Sequence, residues 1–192
     1  MVRILKLQKL TSTERQAVDQ LIRESWSFES LRHSDVTVSS GQWTPDDPLD
    51  QNAIHILARD SSGTLVGYGR VSIAYTIDDL NNTFKELGID HFDFPVAYIS
   101  RLVVKPEARH QGIANQIHKA RIDAARMVGA RTIYGWAVGA APKASLIRLG
   151  FEERSARKGF KTGYYETKRP ATLVMMSLDS RANTGSLAAS GH

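Results

Sequence analysis

The sequence of 192 residues predicts a mixed α/β fold, in which helices cover both faces of one central mixed sheet with both parallel and antiparallel strands. Two observations predict it. Short segments alternate along the chain with longer ones. The short segments have alternating or β-branched residues, typical of strands, and the longer ones have apolar residues at helical spacing. Their order is β-α-β-β-α-β-α-β-α-β-β. No repeat, linker or low-complexity block interrupts this order, which predicts one domain over residues 1–180.

The N-terminal part of the chain contains the first three predicted strands and the first helix. Residues 2–7 alternate as a half-buried strand does. Residues 11–14, Thr-Ser-Thr-Glu, have the spacing of a capping box, and apolar residues at helical spacing follow it. Residues 52–59 and 65–74 flank the turn sequence Asp-Ser-Ser-Gly-Thr at 60–64, which predicts a hairpin.

A long segment without periodicity, residues 27–50, separates that helix from the hairpin. It is rich in Ser, Gly, Pro and Asp, and we expect a loop with room for a short helix. A loop of this length inside a compact domain is usually functional or mobile.

The later elements are justified by the same patterns. A helix from 111 to 128 has apolar residues at helical spacing and ends at Gly129. A second helix is closed by Gly150. Residues 181–192 are small and polar, which predicts a disordered tail. Besides the helix over 111–128, the later elements are a helix over 77–87, strands over 95–104 and 132–138, a helix over 141–149, a segment over 160–165 and a last strand over 171–178.

Composition narrows the classes of function. The net charge of +5 favours anionic ligands, and nucleic-acid binding would rest on that charge alone, so we expect none. The absence of cysteine excludes disulfides, thiolate nucleophiles and cysteine metal sites, and makes the cytoplasm the expected compartment. The six histidines form no metal-ligand spacing, and no apolar run is long enough to span a membrane, so neither a metal nor a membrane partner is expected.

A cluster of basic residues lies near the C-terminus. We interpret it as a solvated hairpin between strands; the alternative is a binding patch. Its members are Arg154, Arg157, Lys158, Lys161, Lys168 and Arg169.

The most informative segment is residues 102–114, where a β-branched strand ends before Pro106 and a helix begins near Gly112. The first turn of a helix leaves its N–H groups without intrahelical partners at the positive end of the helix dipole. Such a place suits a phosphate or pyrophosphate. An ordinary strand–loop–helix connection fits the same spacing and remains the alternative.

The pattern Val-x-Pro-x-x-Arg-x-x-Gly-x-Ala in this segment resembles the acyl-CoA-binding motif of the GNAT superfamily of N-acetyltransferases, and the element order over residues 2–179 is compatible with their fold. The resemblance implies acetyl-CoA as the acyl donor. It implies that the backbone of Leu102, Val103 and Val104 pairs with the pantetheine arm like an extra strand. It also implies that backbone amides hold the pyrophosphate, those of Arg109, His110, Gln111, Gly112, Ile113 and Ala114.

Three positions depart from the family pattern. Leu146 stands where many members have a tyrosine that protonates the leaving thiolate, and Gly139 where they have asparagine. Tyr98 stands where some members have a glutamate base. We name Tyr98 as the candidate catalytic residue, acting through water; simple packing is the alternative. Direct attack of an amine on the thioester in a ternary complex is expected, with a backbone N–H of the fourth predicted strand at the oxyanion.

A second resemblance concerns the substrate. Asp47, Asp50, Arg70 and Arg101 resemble the pattern of the branch that contains acyl-homoserine-lactone synthases and related N-acyl amino acid synthases. This implies Arg70 and Arg101 as substrate-binding residues, and an acyl carrier protein as a partner. The alternative is a set of surface ion pairs. Trp26 and Trp43 border the long loop; Trp26 is a substrate-binding candidate, and packing is its alternative.

Three functions therefore stay open. The first is an N-acetyltransferase that moves acetyl from acetyl-CoA to a primary amine of a small molecule or peptide. The second is a longer-chain N-acyltransferase that uses acyl carrier protein or long acyl-CoA. The third is a catalytically silent CoA-binding module. The sequence leaves the acceptor open, and a homodimer is compatible with its C-terminal strands.

Overall fold

The computed structural model describes residues 2–32, 35–38, 48–50, 52–79, 92–161 and 165–178. The helices in these ranges are α1 (Ser12–Arg32), α2 (Ile113–Met127) and α3 (Ala140–Arg148). The strands are β1 (Arg3–Leu7), β2 (Val36–Val38), β3 (Ala53–Arg59), β4 (Leu65–Ala74), β5 (Val96–Val104), β6 (Thr132–Val138), β7 (Glu152–Arg157), β8 (Phe160–Lys161), β9 (Tyr165–Thr167) and β10 (Ala171–Ser177). Short 3-10 turns span Pro48–Asp50, Ile77–Asp79 and Pro106–Ala108.

Seven of these strands form one mixed sheet in the order β1-β3-β4-β5-β6-β10-β7. Neighbouring strands are antiparallel except for β5 and β6, which are parallel because α2 provides the crossover between them. The mixed sheet with helices on both faces confirms the predicted fold class. The short strands β2, β9 and β8 form a second antiparallel sheet, which the sequence did not predict.

Each face of the large sheet buries its own apolar cluster. Successive residues of a strand point to opposite faces, so Ile56 and Leu57 belong to different clusters. We call the two surfaces the α2 face and the α1 face. The cluster on the α2 face includes Ile56, Val71, Ile99, Ile117, Ile133, Leu146 and Val174. The cluster on the α1 face includes Val18, Leu21, Ile22, Leu57, Tyr68 and Val103.

Helix α1 begins where the capping box predicted it. Glu14 N–H donates to Thr11 Oγ1 at 3.2 Å, and Thr11 N–H donates to Glu14 Oε2 at 2.9 Å. Ile22 is fully buried on the sheet, which contributes about 1.5–3 kcal/mol. The helix continues to Arg32, so the expectation that the long loop begins at residue 27 was wrong for residues 27–32. Those residues include neither glycine nor proline, and an established helix extends easily without a breaker.

The basic cluster near the C-terminus is not a simple hairpin, because three strands lie within it. Strand β7 was missed because its sequence, Glu-Glu-Arg-Ser-Ala-Arg, lacks apolar alternation. It is an edge strand with mostly exposed side chains, for which charge is the usual protection. Arg157 lies over the Trp136 ring at 4.2 Å, and Arg169 Nε donates to Asp35 Oδ2 at 2.9 Å.

Some predictions fall outside the described residues. The helix predicted over 77–87 is described only at Ile77–Asp79, which forms a 3-10 turn, and Trp43, Asp47 and the tail at 181–192 are not described. The single domain over residues 1–180 stays a prediction. Among the described residues, no helix has the length and apolar character needed to cross a lipid bilayer.

Candidate active site

A gap opens between the two parallel strands at the centre of the large sheet. Strands β5 and β6 pair only from Val96 with Thr132 to Ile99 with Gly135. A Cβ on Gly135 would clash with Ile99, so the glycine permits the close approach at this last pair. Beyond this pair, β6 pairs with β10 alone. The edge of β5 that faces β6 therefore has no strand beside it from Arg101 to Val104 among the described residues.

The free edge of β5 presents the backbone of alternate residues. On its other side, Lys105 N–H donates to Val66 O at 2.9 Å. Because backbone groups of an antiparallel strand point alternately to its two sides, Val103 faces β4, whereas Leu102 and Val104 face the gap. Arg109 Nε donates to the carbonyl of Val104 at 3.1 Å. Leu102 has no registered partner in β4 or β6, and its backbone faces a gap that a ligand pairing like a strand would fill.

A β-bulge precedes that edge. The register of β4 with β5 shifts between Tyr68 and Arg70, so that Arg101 and Leu102 together lie opposite Gly69. Arg101 has a φ of 55°, a conformation that costs a non-glycine residue about 1–2 kcal/mol. Strain of this kind is concentrated at functional sites. Here the bulge turns the backbone of Leu102 towards the gap.

The segment after β5 forms a cradle of backbone N–H groups. His110 and Gly112 both have positive φ, 64° and 76°, and α2 begins at the next residue. The first bond that closes the helix runs from Gln116 N–H to Gly112 O at 3.1 Å. Within the described part of the chain, the N–H groups of residues 110–115 have no backbone acceptor. The prediction named residues 109–114, and Arg109 does not fit it, because its N–H donates to Pro106 O at 3.3 Å. No atom lies within 4 Å of a Cβ built on Gly112, so this glycine is needed for its φ and not for space.

A cavity of about 440 Å³ adjoins the cradle between α2 and α3. Two cations, Lys119 and Arg148, line it from opposite helices, and sequence reasoning missed both. The signal that could have found them is a basic residue on the polar face of each helix that flanks the motif. The described residues that line it are Asn115, Lys119, Ser145, Arg148 and Leu149.

Tyr98 lies on the α1 face of β5, with 5% of its surface exposed. It belongs to a cluster with Val96, Tyr134 and Leu173, and it stands opposite Ser72 in the register with β4. The Tyr98 side chain therefore lies on the same face of β5 as the Ser100 side chain, two residues further along the strand. Burial raises the pKa of the neighbouring Tyr134.

The polar residues Arg70 and Arg101 meet at one carboxylate. Arg70 donates to Asp50 Oδ1 at 2.6 Å, and Arg101 lies 3.8 Å from Asp50 Oδ2. Arg15 of α1 approaches the same carboxylate at 3.6 Å. The ion pairs foreseen as an alternative are present, but they are not at the surface: the side chains of Arg70 and Asp50 are 2% and 12% exposed.

A buried histidine lies beside this group of ion pairs. His55 Nδ1 and Tyr68 Oη are 2.9 Å apart in the core under α1. Burial lowers the pKa of His55 to about 4, and burial raises the pKa of Tyr68 to about 12. Both groups are therefore neutral near pH 7, and the pair links two strands without a charge.

The remaining candidates lie at the margins of the site. Trp26 is half-buried on α1 and packs against the cluster of the α1 face. Leu146 is buried in the cluster of the α2 face, with 3% of its surface exposed. Gly139 precedes α3 with a φ of 87°. No side chain at Leu146 or Gly139 can donate a proton to a thiolate.

Comparison with known proteins places these features in a family. The model of the acetyltransferase (GNAT) family matches residues 15–151, well over half of the chain. Among curated protein sequences, none matches it.

Solved structures agree with this chain in fold. Arylalkylamine N-acetyltransferase 2 from Aedes aegypti is 16% identical with a TM-score of 0.64, over 93% of this chain and 99% of that one. An aminoglycoside 6'-N-acetyltransferase complexed with coenzyme A is 13% identical with a TM-score of 0.63, over 93% and 98%. The ribosomal-protein-S18-alanine N-acetyltransferase from Escherichia coli is 14% identical with a TM-score of 0.60, over 96% and 98%.

Proposed function

Because this chain belongs to the acetyltransferase (GNAT) family and is an acyltransferase by that membership, we propose that it moves an acetyl group from acetyl-CoA to a primary amine of a small molecule or peptide. One observation carries the proposal: the edge of β5 at Leu102 and Val104, which has no neighbouring strand among the described residues, leads directly into the N–H cradle at residues 110–115. An extended amide chain that ends in a pyrophosphate matches both parts at once.

The acetyl-CoA donor extends from the open edge of β5 to the cavity between α2 and α3. The pantetheine amides pair with the Leu102 C=O and the Val104 N–H, with Val103 facing away into the sheet, so that the Leu102 N–H is left for the thioester. The pyrophosphate takes the backbone N–H groups of residues 110–114, while the Arg109 N–H donates to Pro106 O. Lys119 and Arg148 line the adjoining cavity, and their charge supports them as contacts for the phosphate on the ribose of CoA.

The reaction is a direct acyl transfer in a ternary complex. The acceptor nitrogen forms a bond to the thioester carbon, the carbon–sulfur bond breaks, the nitrogen loses one proton and the CoA thiolate gains one. The Leu102 N–H faces the gap and meets the carbonyl oxygen as it becomes negative. Tyr98 is our candidate for relaying the proton through water, which its place two residues before Ser100 supports.

The acceptor approaches from the α1 face. The groups proposed to shape its pocket are Arg70 and Arg101, which Asp50 holds in place, and Trp26 at the edge of α1. The aromatic cluster around Tyr98 and Tyr134 adds an apolar wall. Acceptors of this family are small-molecule or protein amines, and a homodimer remains compatible with the proposal.

Two alternative functions are each supported by one observation. The buried ion pairs at Asp50 favour the longer-chain N-acyltransferase that uses acyl carrier protein or long acyl-CoA, since the arginines stand where that branch has them. The buried Leu146, in place of a proton donor, favours the catalytically silent CoA-binding module.

Calorimetry and thiol release separate the three functions. CoA, acetyl-CoA and octanoyl-CoA are titrated into the full chain, and thiol release from acetyl-CoA is then followed with a panel of primary amines. We expect sub-millimolar CoA binding and thiol release that depends on the amine. Absence of CoA binding contradicts the proposal. Preference for octanoyl-CoA supports the longer-chain enzyme, and binding without thiol release across the panel supports the silent module.

A further inference from the structure

Arg121 of α2 is a charged side chain in the middle of the apolar core. It is 1% exposed and lies on the α2 face, where its helix neighbours Ile117, Ile122 and Ala125 are part of the core cluster. Burial lowers its pKa to about 9, so the guanidinium keeps its charge near neutral pH. Among the described residues, no carboxylate pairs with it and its Nε has no hydrogen-bond partner. A buried cation without a counter-charge is costly to the folded state and calls for a reason.

Within the described ranges, the Arg121 side chain donates one hydrogen bond, and its acceptor is at the bulge. One terminal nitrogen of the guanidinium donates to Ser100 O, the carbonyl directly before Arg101. This places the charge below the strand edge of the proposed site, on the side away from the acceptor.

Gly69 makes room for this contact. It lies opposite the bulge in the middle of β4, and a Cβ at this position would clash with the Arg121 guanidinium. A glycine inside a central strand weakens the strand, and it commonly marks a place where another group approaches the backbone closely. Two unfavourable residues, Gly69 and Arg121, therefore serve the same contact.

Ser100 is held from both faces of the sheet. On the α1 face, Arg70 Nε donates to Ser100 Oγ at 3.0 Å, while Arg121 holds the carbonyl from the other face. The next residue, Arg101, has the positive φ that turns Leu102 towards the gap. The direction of the Leu102 N–H thus depends on how firmly Ser100 is held.

We propose that Arg121 is a positioning residue for acyl transfer: it holds Ser100 O, fixes the bulge at Arg101, and so aims the Leu102 N–H at the thioester carbonyl oxygen. Its unneutralised charge adds positive potential behind that N–H, where the oxygen becomes negative. Donors and charges that are fixed before the reaction need no rearrangement when the transition state forms, which is their advantage over water. The inference rests on the proposed acetyl-CoA site.

Infrared spectroscopy of bound acetyl-CoA tests this role without knowledge of the acceptor. Acetyl-CoA labelled with ¹³C at its carbonyl is bound to the full chain, and the isotope-edited carbonyl stretch is compared with that of the free thioester. We expect the wild type to lower the frequency, because the Leu102 N–H polarises the bond. Arg121→Met is expected to lose at least half of this shift, while calorimetry shows its affinity for acetyl-CoA within about threefold of the wild type.

The variants are chosen to separate positioning from folding. Arg126→Met changes an exposed arginine on the same helix, and we expect it to keep the full shift. Gly69→Ala displaces the guanidinium without removing its charge, and it should reproduce the loss if Arg121→Met fails to fold. Thermal unfolding of Arg121→Met at or above the wild-type temperature excludes a merely structural role.

The outcomes are distinguishable. A wild type that binds no acetyl-CoA overturns the proposed function and this inference together. A wild type that binds without a shift, or a folded Arg121→Met with the full shift, overturns only the role of Arg121.

Discussion

Substitution of Gly112 by valine tests the N–H cradle directly. Gly112 has a φ of 76°, which costs a residue with a side chain about 1–2 kcal/mol. We expect the chain to relieve this strain by rotating the first turn of α2, which takes N–H groups out of the cradle. Loss of two charge-assisted hydrogen bonds, each of about 1.5–3 kcal/mol, weakens CoA binding by at least about 100-fold. Calorimetry with CoA measures the change.

The other end of the same helix provides the matched control. Gly129 has a φ of 75°, and a Cβ placed on it, like one placed on Gly112, would have no atom within 4 Å. Gly129→Val therefore carries the same backbone strain outside the cradle. Both variants should lower the melting temperature by about 2–8 °C, from about 2–4 °C for each kcal/mol in a domain of this size. Equal CoA affinities of the two variants, or unchanged affinity of Gly112→Val, would refute the cradle as the pyrophosphate site.

Three further predictions concern the cavity, the buried ion pairs and the buried histidines. Lys119→Ala should weaken CoA binding about tenfold in calorimetry, since one charged contact is worth about 1.5 kcal/mol. The binding of dephospho-CoA, which lacks the phosphate on the ribose, should stay unchanged. Equal losses for both ligands would contradict the contact between Lys119 and that phosphate. Asp50→Asn leaves the buried Arg70 without the charge of its carboxylate and should lower the free energy of unfolding in urea by about 3–5 kcal/mol. A loss below about 1 kcal/mol would mean that the ion pairs contribute little to stability. Burial lowers the pKa of His55 to about 4 and that of His118 to about 3. Below pH 6.5 the unfolded chain therefore binds more protons than the folded chain, and the free energy of unfolding should fall as the pH drops from 6.5 towards 4. His118→Leu should reduce that slope in urea titrations at several pH values, and an unchanged slope would contradict the assignment.

The sequence predicted the features of this site that depend on neighbouring residues. The strand end, Pro106 and the glycine before α2 lie within one short segment, so their spacing is readable in the sequence and fits an anion cradle, with an ordinary strand–loop–helix connection as the alternative. The capping box of α1 was predicted for the same reason. Strand β7 was missed because an exposed edge strand needs no apolar alternation.

The features that the sequence could not predict depend on contacts between distant residues. Gly69 and Arg121 look like an ordinary strand glycine and an ordinary helix arginine until the fold brings them together at Ser100. The cavity beside Lys119 exists only because α3 packs next to α2. Tyr98, Arg70 and Arg101 were named from a resemblance, and the structure adds that all three are buried.

The two contacts that hold Ser100 explain how Arg101, a residue other than glycine, keeps its positive φ in the bulge. Arg70 holds the Ser100 hydroxyl on the α1 face while Asp50 fixes Arg70 at 2.6 Å, and Arg121 holds the Ser100 carbonyl from the α2 face. Two contacts from opposite faces over-determine the backbone at the next residue, which lets Arg101 keep a φ of 55° in spite of the strain. A chain shaped by stability alone would have glycine at position 101 and an apolar residue at position 121. Because it has neither, the geometry at the free edge of β5 outweighs stability there, and that edge is where the thioester is proposed to lie.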